Sequence, residues 1–149
     1  MPRYFTVIYN TETSIANALI NTYSNAGEIG ISHTVFNRLR SRDLISWNSI
    51  NSGCVLHGTS HLAWDLFSQM KEQGIKPNQA TITSMIRAYS LDRMVKEGTD
   101  IFSSMTEEYQ LSPCLEHYTA MVELFGRSGR LREASKRIKN MPIEPDSAV

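Results

Sequence analysis

The amino-acid sequence repeats one helical pattern four times, and this repeat limits the possible folds more than any other feature. In each copy a small residue is followed three, four and seven positions later by apolar side chains, which is the spacing of one face of an α-helix. The copies are Ser32, Val35, Phe36 and Leu39; Ala63, Leu66, Phe67 and Met70; Gly98, Ile101, Phe102 and Met105; and Ala134, Arg137, Ile138 and Met141, the last of which keeps three of the four positions. The chain is therefore a tandem helical repeat.

A second helix precedes each of these helices, because another pattern recurs upstream of every copy. This second pattern occupies residues 17–23, 48–54, 83–89 and 119–125. Gly27, Gly58 and Gly129 lie between the two patterns of a copy, where glycine is typical of a turn. Each repeat is predicted to be a pair of helices.

The patterns divide the chain into four repeats, at residues 13–43, 44–78, 79–114 and 115–146, after a remnant of an earlier repeat at residues 1–12. A helix pair buries its apolar faces mainly against neighbouring pairs, so tandem pairs stack on one another. The predicted fold class is all-α, a right-handed α-solenoid whose concave surface is lined by the first helix of each pair.

The second repeat departs from the pattern at two positions that the other repeats keep apolar. Asn51 takes the place of Ile20, Ile86 and Val122, and Cys54 replaces an aromatic residue. If the Asn51 amide has no hydrogen-bond partner, its burial costs about 1–3 kcal/mol. We expect the second repeat to be underpacked.

Composition excludes several classes of protein. The 149 residues include 15 Lys and Arg against 15 Asp and Glu, so net charge gives no argument for a polyanionic partner and any basic surface is local. Cys54 and Cys114 are too far apart for a CxxC element, which indicates a reducing compartment and two buried thiols. Residues 44–64 lack charged side chains but contain Ser, Asn and His, whose burial in hydrocarbon is too costly for a membrane span.

Catalytic and metal-binding motifs are not found in the sequence. It has no Gly-rich phosphate loop, no HExxH and no GxSxG, so we expect neither an enzyme nor a cofactor. His57 and His61 are four residues apart, a spacing that can place two metal ligands on one helix face. Because Gly58 lies between them at a predicted turn and no third ligand is in view, no metal site is expected.

Two segments carry a resemblance to a known family. Residues 45–50 (ISWNSI) and 66–78 (LFSQMKEQGIKPN) resemble a pentatricopeptide repeat, and the repeat lengths resemble the plant subclass that mixes short, standard and long repeats. The block from Leu115 to Asp146 resembles the last repeat of that subclass, and residues 147–149 resemble the start of a truncated extension domain. Many relatives continue into a zinc cytidine deaminase domain with HxE and CxxC motifs, and neither motif occurs here.

The resemblance implies single-stranded RNA binding with one base per repeat. Carried over, the base-reading pairs are Asn17 with Asp43, Asn48 with Asn78, and Thr119 with Asp146. In the family such pairs resemble readers of uracil, of a pyrimidine with cytosine preferred, and of guanine. Thr83 and Cys114 form no recognised pair, so the expected order from 5′ to 3′ is U, C or U, any base, and G.

Other residues are predicted to have supporting roles, Ile45 from the same resemblance and two arginines from the local density of basic side chains. Ile45 matches the aliphatic position that sandwiches a base, and Arg127 and Arg130 are candidate phosphate contacts within the basic run of residues 127–139. The alternatives are that this run is a solvated helix face, and that the polar reading residues are helix caps.

The resulting functional prediction is a sequence-guided RNA-binding adaptor of plant mitochondria or chloroplasts, as a fragment of an RNA-editing or RNA-processing specificity factor. Its partners would be single-stranded RNA and organelle proteins supplied in trans, with neither DNA nor a membrane. One alternative is a protein-binding solenoid of helix pairs, similar to tetratricopeptide repeats. Another is a degenerate fragment without an independent function.

Overall fold

The computed structural model describes residues 3–142, with side chains from residue 12 onward. Within this range the secondary structure consists of eight α-helices, without strands. They are α1 (Arg3–Asn25), α2 (Ile29–Arg38), α3 (Leu44–Leu56), α4 (Ser60–Glu72), α5 (Gln79–Leu91), α6 (Val95–Glu107), α7 (Leu115–Arg127) and α8 (Leu131–Lys139). None of these described helices has both the length and the apolar character needed to cross a bilayer.

The chain divides into two compact units, of which the first ends at Ile75 and the second begins at Lys76. In the first unit α1 packs against α2 and α3, and α3 packs against α4. In the second unit α5 packs against α6 and α7, and α7 packs against α8. Each unit is therefore two helix pairs, joined by contacts between their first helices.

The apolar positions of the repeat build the core of each unit. All four small residues that open the pattern, Ser32, Ala63, Gly98 and Ala134, are buried. The core of the second unit is one cluster: Ile82, Ile86, Met105, Tyr109, Ala120, Met121, Leu124, Phe125 and Ala134. The expectation that both thiols are buried is wrong for Cys114, which is partly exposed because it caps α7, whereas Cys54 is buried.

Three helices begin at residues that open a repeat in the sequence. These are α3 at Leu44, α5 at Gln79 and α7 at Leu115. By contrast, α1 runs through residues 12 and 13 without a break. Residues 3–25 contain neither Gly nor Pro, so the local sequence offers nothing to end the helix there.

The turn inside each helix pair needs one residue with a left-handed backbone. Gly27, Gly58 and Gly129 provide it, with φ angles of 86°, 72° and 74°. The third repeat has Arg93 at this position, with φ of 58°. A side chain in this conformation costs about 1–2 kcal/mol that glycine avoids.

Arg93→Gly is expected to raise the free energy of unfolding by about 0.5–1 kcal/mol, because the relief of strain exceeds the larger entropy that glycine loses on folding. Thermal denaturation followed by circular dichroism measures the change. The reciprocal variant Gly129→Arg is the control and should lower the melting temperature. A lower melting temperature for Arg93→Gly would show that the arginine side chain contributes more than its backbone strain costs.

Candidate nucleic-acid interface

A polar network joins α1 to the start of α3 in the first unit. Asn17, which is 7% exposed, donates a hydrogen bond from Nδ2 to Oδ1 of Asp43 at 3.2 Å. Asp43 is the N-cap of α3, where its Oδ1 accepts the backbone N–H of Ser46 at 2.9 Å. The structure thus brings together the two residues of the first base-reading pair.

The hydroxyl of Ser46 completes the network. Its Oγ lies 2.7 Å from Oδ1 of Asn17 and 2.9 Å from Oδ1 of Asp43, and it accepts the backbone N–H of Asp43 at 3.3 Å. Because a hydroxyl has one proton, the shorter distance favours donation to Asn17. A carboxylate only accepts hydrogen bonds, so the Asn17 amide must turn its nitrogen towards Asp43 and its oxygen towards Ser46.

The network also holds Asp43 in its charged form. Partial burial raises the pKa of this carboxyl. The hydrogen bonds from the backbone and side chain of Ser46 and from Asn17 together lower the pKa by more than burial raises it, so the pKa of Asp43 is below its usual value. Because the folded pKa is lowered, the stabilisation is present above the unfolded pKa of about 3.9 and is lost as the pH falls through the folded pKa.

Two polar groups of this network remain for a ligand. Asn17 uses one of its two N–H groups to bond Asp43. Among the described residues none donates a hydrogen bond to Oδ2 of Asp43, and this residue is exposed. One donor and one acceptor are therefore held next to each other in fixed orientation, which suits a planar ring with an acceptor beside a donor.

Aromatic and cationic side chains hold the segment that carries Asp43. The rings of Phe36 and Trp47 pack edge to face with centroids 4.7 Å apart. The guanidinium of Arg42 lies 4.5 Å from the centroid of Phe36 and 5.8 Å from that of Trp47, and its Nε donates to the carbonyl of Phe36 at 3.0 Å. Such cation–π contacts contribute about 0.5–2 kcal/mol and fix the backbone just before the cap.

The residues of the second base-reading pair belong to different units. In the first unit Asn48 is half-buried on α3, and Ile45, in the first turn of this helix, is 63% exposed. In the second unit Asn78 is the N-cap of α5, and its Oδ1 accepts the backbone N–H of Thr81 at 3.1 Å. The cap interpretation is thus confirmed for Asp43 and Asn78, and a cap can still face a ligand.

The threonines at the base-reading positions of the second unit donate hydrogen bonds to backbone carbonyls of their own helices. Thr83 donates to the carbonyl of Gln79 at 3.1 Å, and Thr119 donates to that of Leu115 at 2.9 Å. Cys114, which occupies the second base-reading position of the third repeat together with Thr83 at the first, caps α7. Asp146, the expected partner of Thr119, lies outside the described residues.

The arginines of the basic run at residues 127–139 differ in exposure and in their contacts. Arg127 is exposed at the end of α7. Arg130 is 3.6 Å from the carboxylate of Glu133, in a pair of half-exposed side chains that contributes little to stability. Arg137 is half-buried and lies 5.3 Å and 5.6 Å from the ring centroids of Phe102 and Phe125. Arg137 therefore has a packing role, while Arg127 and Arg130 face solvent.

The two histidines at metal-ligand spacing lie in different surroundings. His57 caps the end of α3 and its Nε2 contacts the carbonyl of Ser24. His61 is exposed on α4, with its ring 4.8 Å from that of Trp64. In the described part of the chain no group of three His, Cys, Asp or Glu side chains could hold a metal ion.

Ser46 and Thr81, the third residues of α3 and α5, were not among the residues predicted from the sequence. The hydroxyl of each accepts the backbone N–H of its cap residue, at 3.3 Å for Asp43 and 3.1 Å for Asn78. The same hydroxyl lies within hydrogen-bond distance of Oδ1 of that cap residue. An available signal was the spacing of Asp43 and Ser46, and of Asn78 and Thr81, because a capping box joins the cap to the third residue of a helix.

Stacked helix pairs with a capped polar position at the start of α3 and α5 define a helical repeat protein, and comparison with known proteins identifies which kind. A model described as "PPR repeat family" matches residues 42–91, and one described as "PPR repeat" matches residues 80–109 and 116–143. Together they cover well over half of the chain. The chain belongs to the pentatricopeptide repeat (PPR) family.

Relatives in Arabidopsis thaliana agree with this assignment. The chain is 43% identical over 136 residues to the pentatricopeptide repeat-containing protein At1g19720. This alignment covers 91% of this chain and 15% of that protein. It is 42% identical over 132 residues to the putative pentatricopeptide repeat-containing protein At5g59200, chloroplastic, covering 89% of this chain and 24% of that protein. The chain thus spans less than a quarter of the length of these relatives.

Solved structures show the same fold. The PPR10 protein from maize, in complex with an 18-nucleotide psaJ RNA element, matches 83% of this chain and 19% of its own with a TM-score of 0.73 and 25% identity. The PPR domain of Arabidopsis thaliana protein-only RNase P 1, in complex with tRNA, matches 87% of this chain and 70% of its own with a TM-score of 0.74 and 19% identity. The predicted fold class, an all-α solenoid of helical repeats, is confirmed.

Proposed function

We propose that this chain is the RNA-binding part of a plant organelle PPR protein and that it binds single-stranded RNA with one base per repeat. The observation that carries the proposal is the network of Asn17, Asp43 and Ser46, which fixes a donor and an acceptor at the start of a repeat. Two structural neighbours, from maize and Arabidopsis, contain RNA, and this supports the same class of ligand here.

The chemistry of the network favours uracil at the first repeat. Uracil presents the O4 acceptor beside the N3–H donor, whereas cytosine presents a donor beside an acceptor. The second N–H of Asn17 can donate to O4, and Oδ2 of Asp43 can accept N3–H directly or through a water. Cytosine would place its amino group against the Asn17 N–H and its N3 lone pair against the carboxylate, so both contacts would be lost.

The remaining reading positions follow the family pattern. We assign Asn48 with Asn78 to a pyrimidine, with cytosine preferred, and Thr119 with Asp146 to guanine. No base is assigned to the third repeat, because Thr83 and Cys114 form no recognised pair. The proposed order is U, C or U, any base, and G.

Contacts outside the base edges would add affinity without sequence preference. Ile45, at 63% exposure in the first turn of α3, is proposed to sandwich a base. Arg127 and Arg130 are proposed to contact phosphates, with Arg127 favoured because Arg130 already has Glu133 nearby.

The biological role proposed is that of a specificity factor for RNA editing or processing. The alternation of repeat lengths and the block from Leu115 to Asp146 support the plant subclass with mixed repeats and a position near the end of its array. The catalytic step would then be carried out by another domain or a protein supplied in trans. Chloroplastic relatives support an organelle location, in chloroplasts or mitochondria.

Asn17→Thr is expected to change the base preferred at the first position from uracil to guanine, since Thr with Asp is the guanine pair of the family. We expect about a tenfold shift in relative affinity, the size of one well-placed pair of hydrogen bonds. Fluorescence anisotropy at low salt with four-base targets of the proposed order, differing only at the first base, measures this shift.

Asn21→Thr is the matched control, because Asn21 is exposed on the same helix and outside the network. It should leave the preference for uracil unchanged. Equal binding of all RNAs by the unmodified chain, or no binding at low salt, would overturn the proposal of base-specific recognition.

A further inference from the structure

A thiol and an imidazole meet at the start of α7 in the second unit. Cys114 Sγ lies 3.1 Å from Nδ1 of His117, within hydrogen-bond reach for sulfur. Cys114 is partly exposed, while His117 is fully buried beneath it. A partly exposed cysteine therefore has an imidazole nitrogen within hydrogen-bond distance of its thiol.

The contacts of His117 fix which ring nitrogen carries the proton. Nδ1 accepts the backbone N–H of Cys114 at 3.0 Å, and Nε2 lies 2.9 Å from the carbonyl oxygen of Gln79. A carbonyl only accepts, so Nε2 is protonated, and the single lone pair of Nδ1 is shared between the backbone N–H and the thiol of Cys114. A base oriented by a third group in this way is the arrangement found around activated nucleophiles.

We propose that Cys114 is a modification site that reacts with low-molecular-weight disulfides, with His117 as the general base. Sγ attacks one sulfur of the disulfide, a new S–S bond to Cys114 forms and the original S–S bond breaks. The thiol proton passes to Nδ1 of His117 and from there to the departing thiolate, which leaves as a thiol. The products are one mixed disulfide and one thiol, and no other oxidant is needed.

The other cysteine provides a contrast within the same chain. Burial raises the pKa of the Cys54 thiol, an effect that a hydrogen bond with Thr59 only partly offsets. Cys54 is also shielded from a disulfide in solution. We expect Cys114 to be modified first, independently of whether the chain binds RNA.

The test uses the full chain with oxidised glutathione at neutral pH, followed by mass spectrometry over time. His117→Ser is the informative variant, because Ser46 shows that serine fits the third position of a capped helix in this chain. In a Cys54→Ser background, the rate at Cys114 should fall about 100-fold when the imidazole is removed. His33→Ser, on α2 of the first unit, is the control and should leave the rate unchanged.

A second measurement keeps the test independent of the folding of the His117 variant. The same Cys114 should react faster in the native chain than in the chain unfolded in urea, where the imidazole is no longer held against the thiol. A native rate equal to or below the unfolded rate would overturn the proposal, as would a folded His117→Ser variant that reacts as fast as the unmodified chain.

Discussion

Gly53→Ala should lower the free energy of unfolding by about 2–4 kcal/mol, from overpacking together with the loss of a buried hydrogen bond. A Cβ atom on Gly53 of α3 would lie 2.6 Å from Cβ of Ser24 on α1 and still closer to the Ser24 hydroxyl. Because the Ser24 Cβ is fixed to the backbone, the helices themselves must move apart. Thermal or urea denaturation followed by circular dichroism measures the loss.

The same collision would break a buried hydrogen-bond chain. Ser24 donates to the hydroxyl of Ser32 at 3.0 Å, and Ser32 donates to the carbonyl of Ile20 at 3.0 Å. These hydrogen bonds join α1 to α2, so displacing Ser24 affects the contacts of α1 with both α2 and α3. Gly53→Ala therefore lowers the free energy of unfolding by more than overpacking alone would.

Gly126→Ala is the matched control, since a Cβ at Gly126 of α7 meets no atom within 4 Å. Alanine favours a helix over glycine by about 0.8–1 kcal/mol, so this variant should be more stable than the unmodified chain. If Gly53→Ala were also stabilising, the close approach of α1 and α3 would not exist in solution.

Most of the fold was predictable from the sequence because each repeat states the same pattern again. The spacing from Ser32 to Leu39 recurs three times, and the second helix of every pair lies where this spacing predicts it. Features of single residues were not predictable in this way. The left-handed backbone of Arg93 is set by the turn that its repeat shares with the others, and arginine itself gives no signal for that conformation.

The candidate site was predicted only in part, because the resemblance supplied residue positions without the atoms that hold them. Asn17 and Asp43 are 26 residues apart, and packing of α1 on α3 brings them to 3.2 Å. The role of Ser46 depends on this packing, since its hydroxyl reaches Asn17 from a different helix. The contact of His117 with Gln79 likewise joins residues that are distant in sequence.

Asn51 stands at a repeat position that is aliphatic in the other repeats. Its side chain is fully buried on α3, and among the described residues neither its amide nitrogen nor its amide oxygen has a hydrogen-bond partner. Ile20 and Ile86, which hold the same place in other repeats, are also fully buried. The expected desolvation cost is therefore present at this position, and an aliphatic side chain is what the repeat normally places there.

Asn51→Ile is expected to raise the free energy of unfolding by about 1–3 kcal/mol, because it removes two unsatisfied polar groups and adds buried apolar surface. Each kcal/mol corresponds to about 2–4 °C in the melting temperature of a chain of this size. The added volume opposes this gain, since overpacking costs about 1–3 kcal/mol. Asn51→Val, with the smaller side chain found at Val122, separates the two effects in the same thermal denaturation experiment.

Ile20→Asn is the reciprocal control and should destabilise the chain, because it creates the same unsatisfied amide in the first repeat. If isoleucine at position 51 is too large, valine alone should raise the melting temperature. If neither variant does so while Ile20→Asn is destabilising, the Asn51 amide must be satisfied in solution, for which a buried water between polar groups is the available means. Trp47, one helical turn earlier on α3, also has a buried ring N–H without a partner among the described residues.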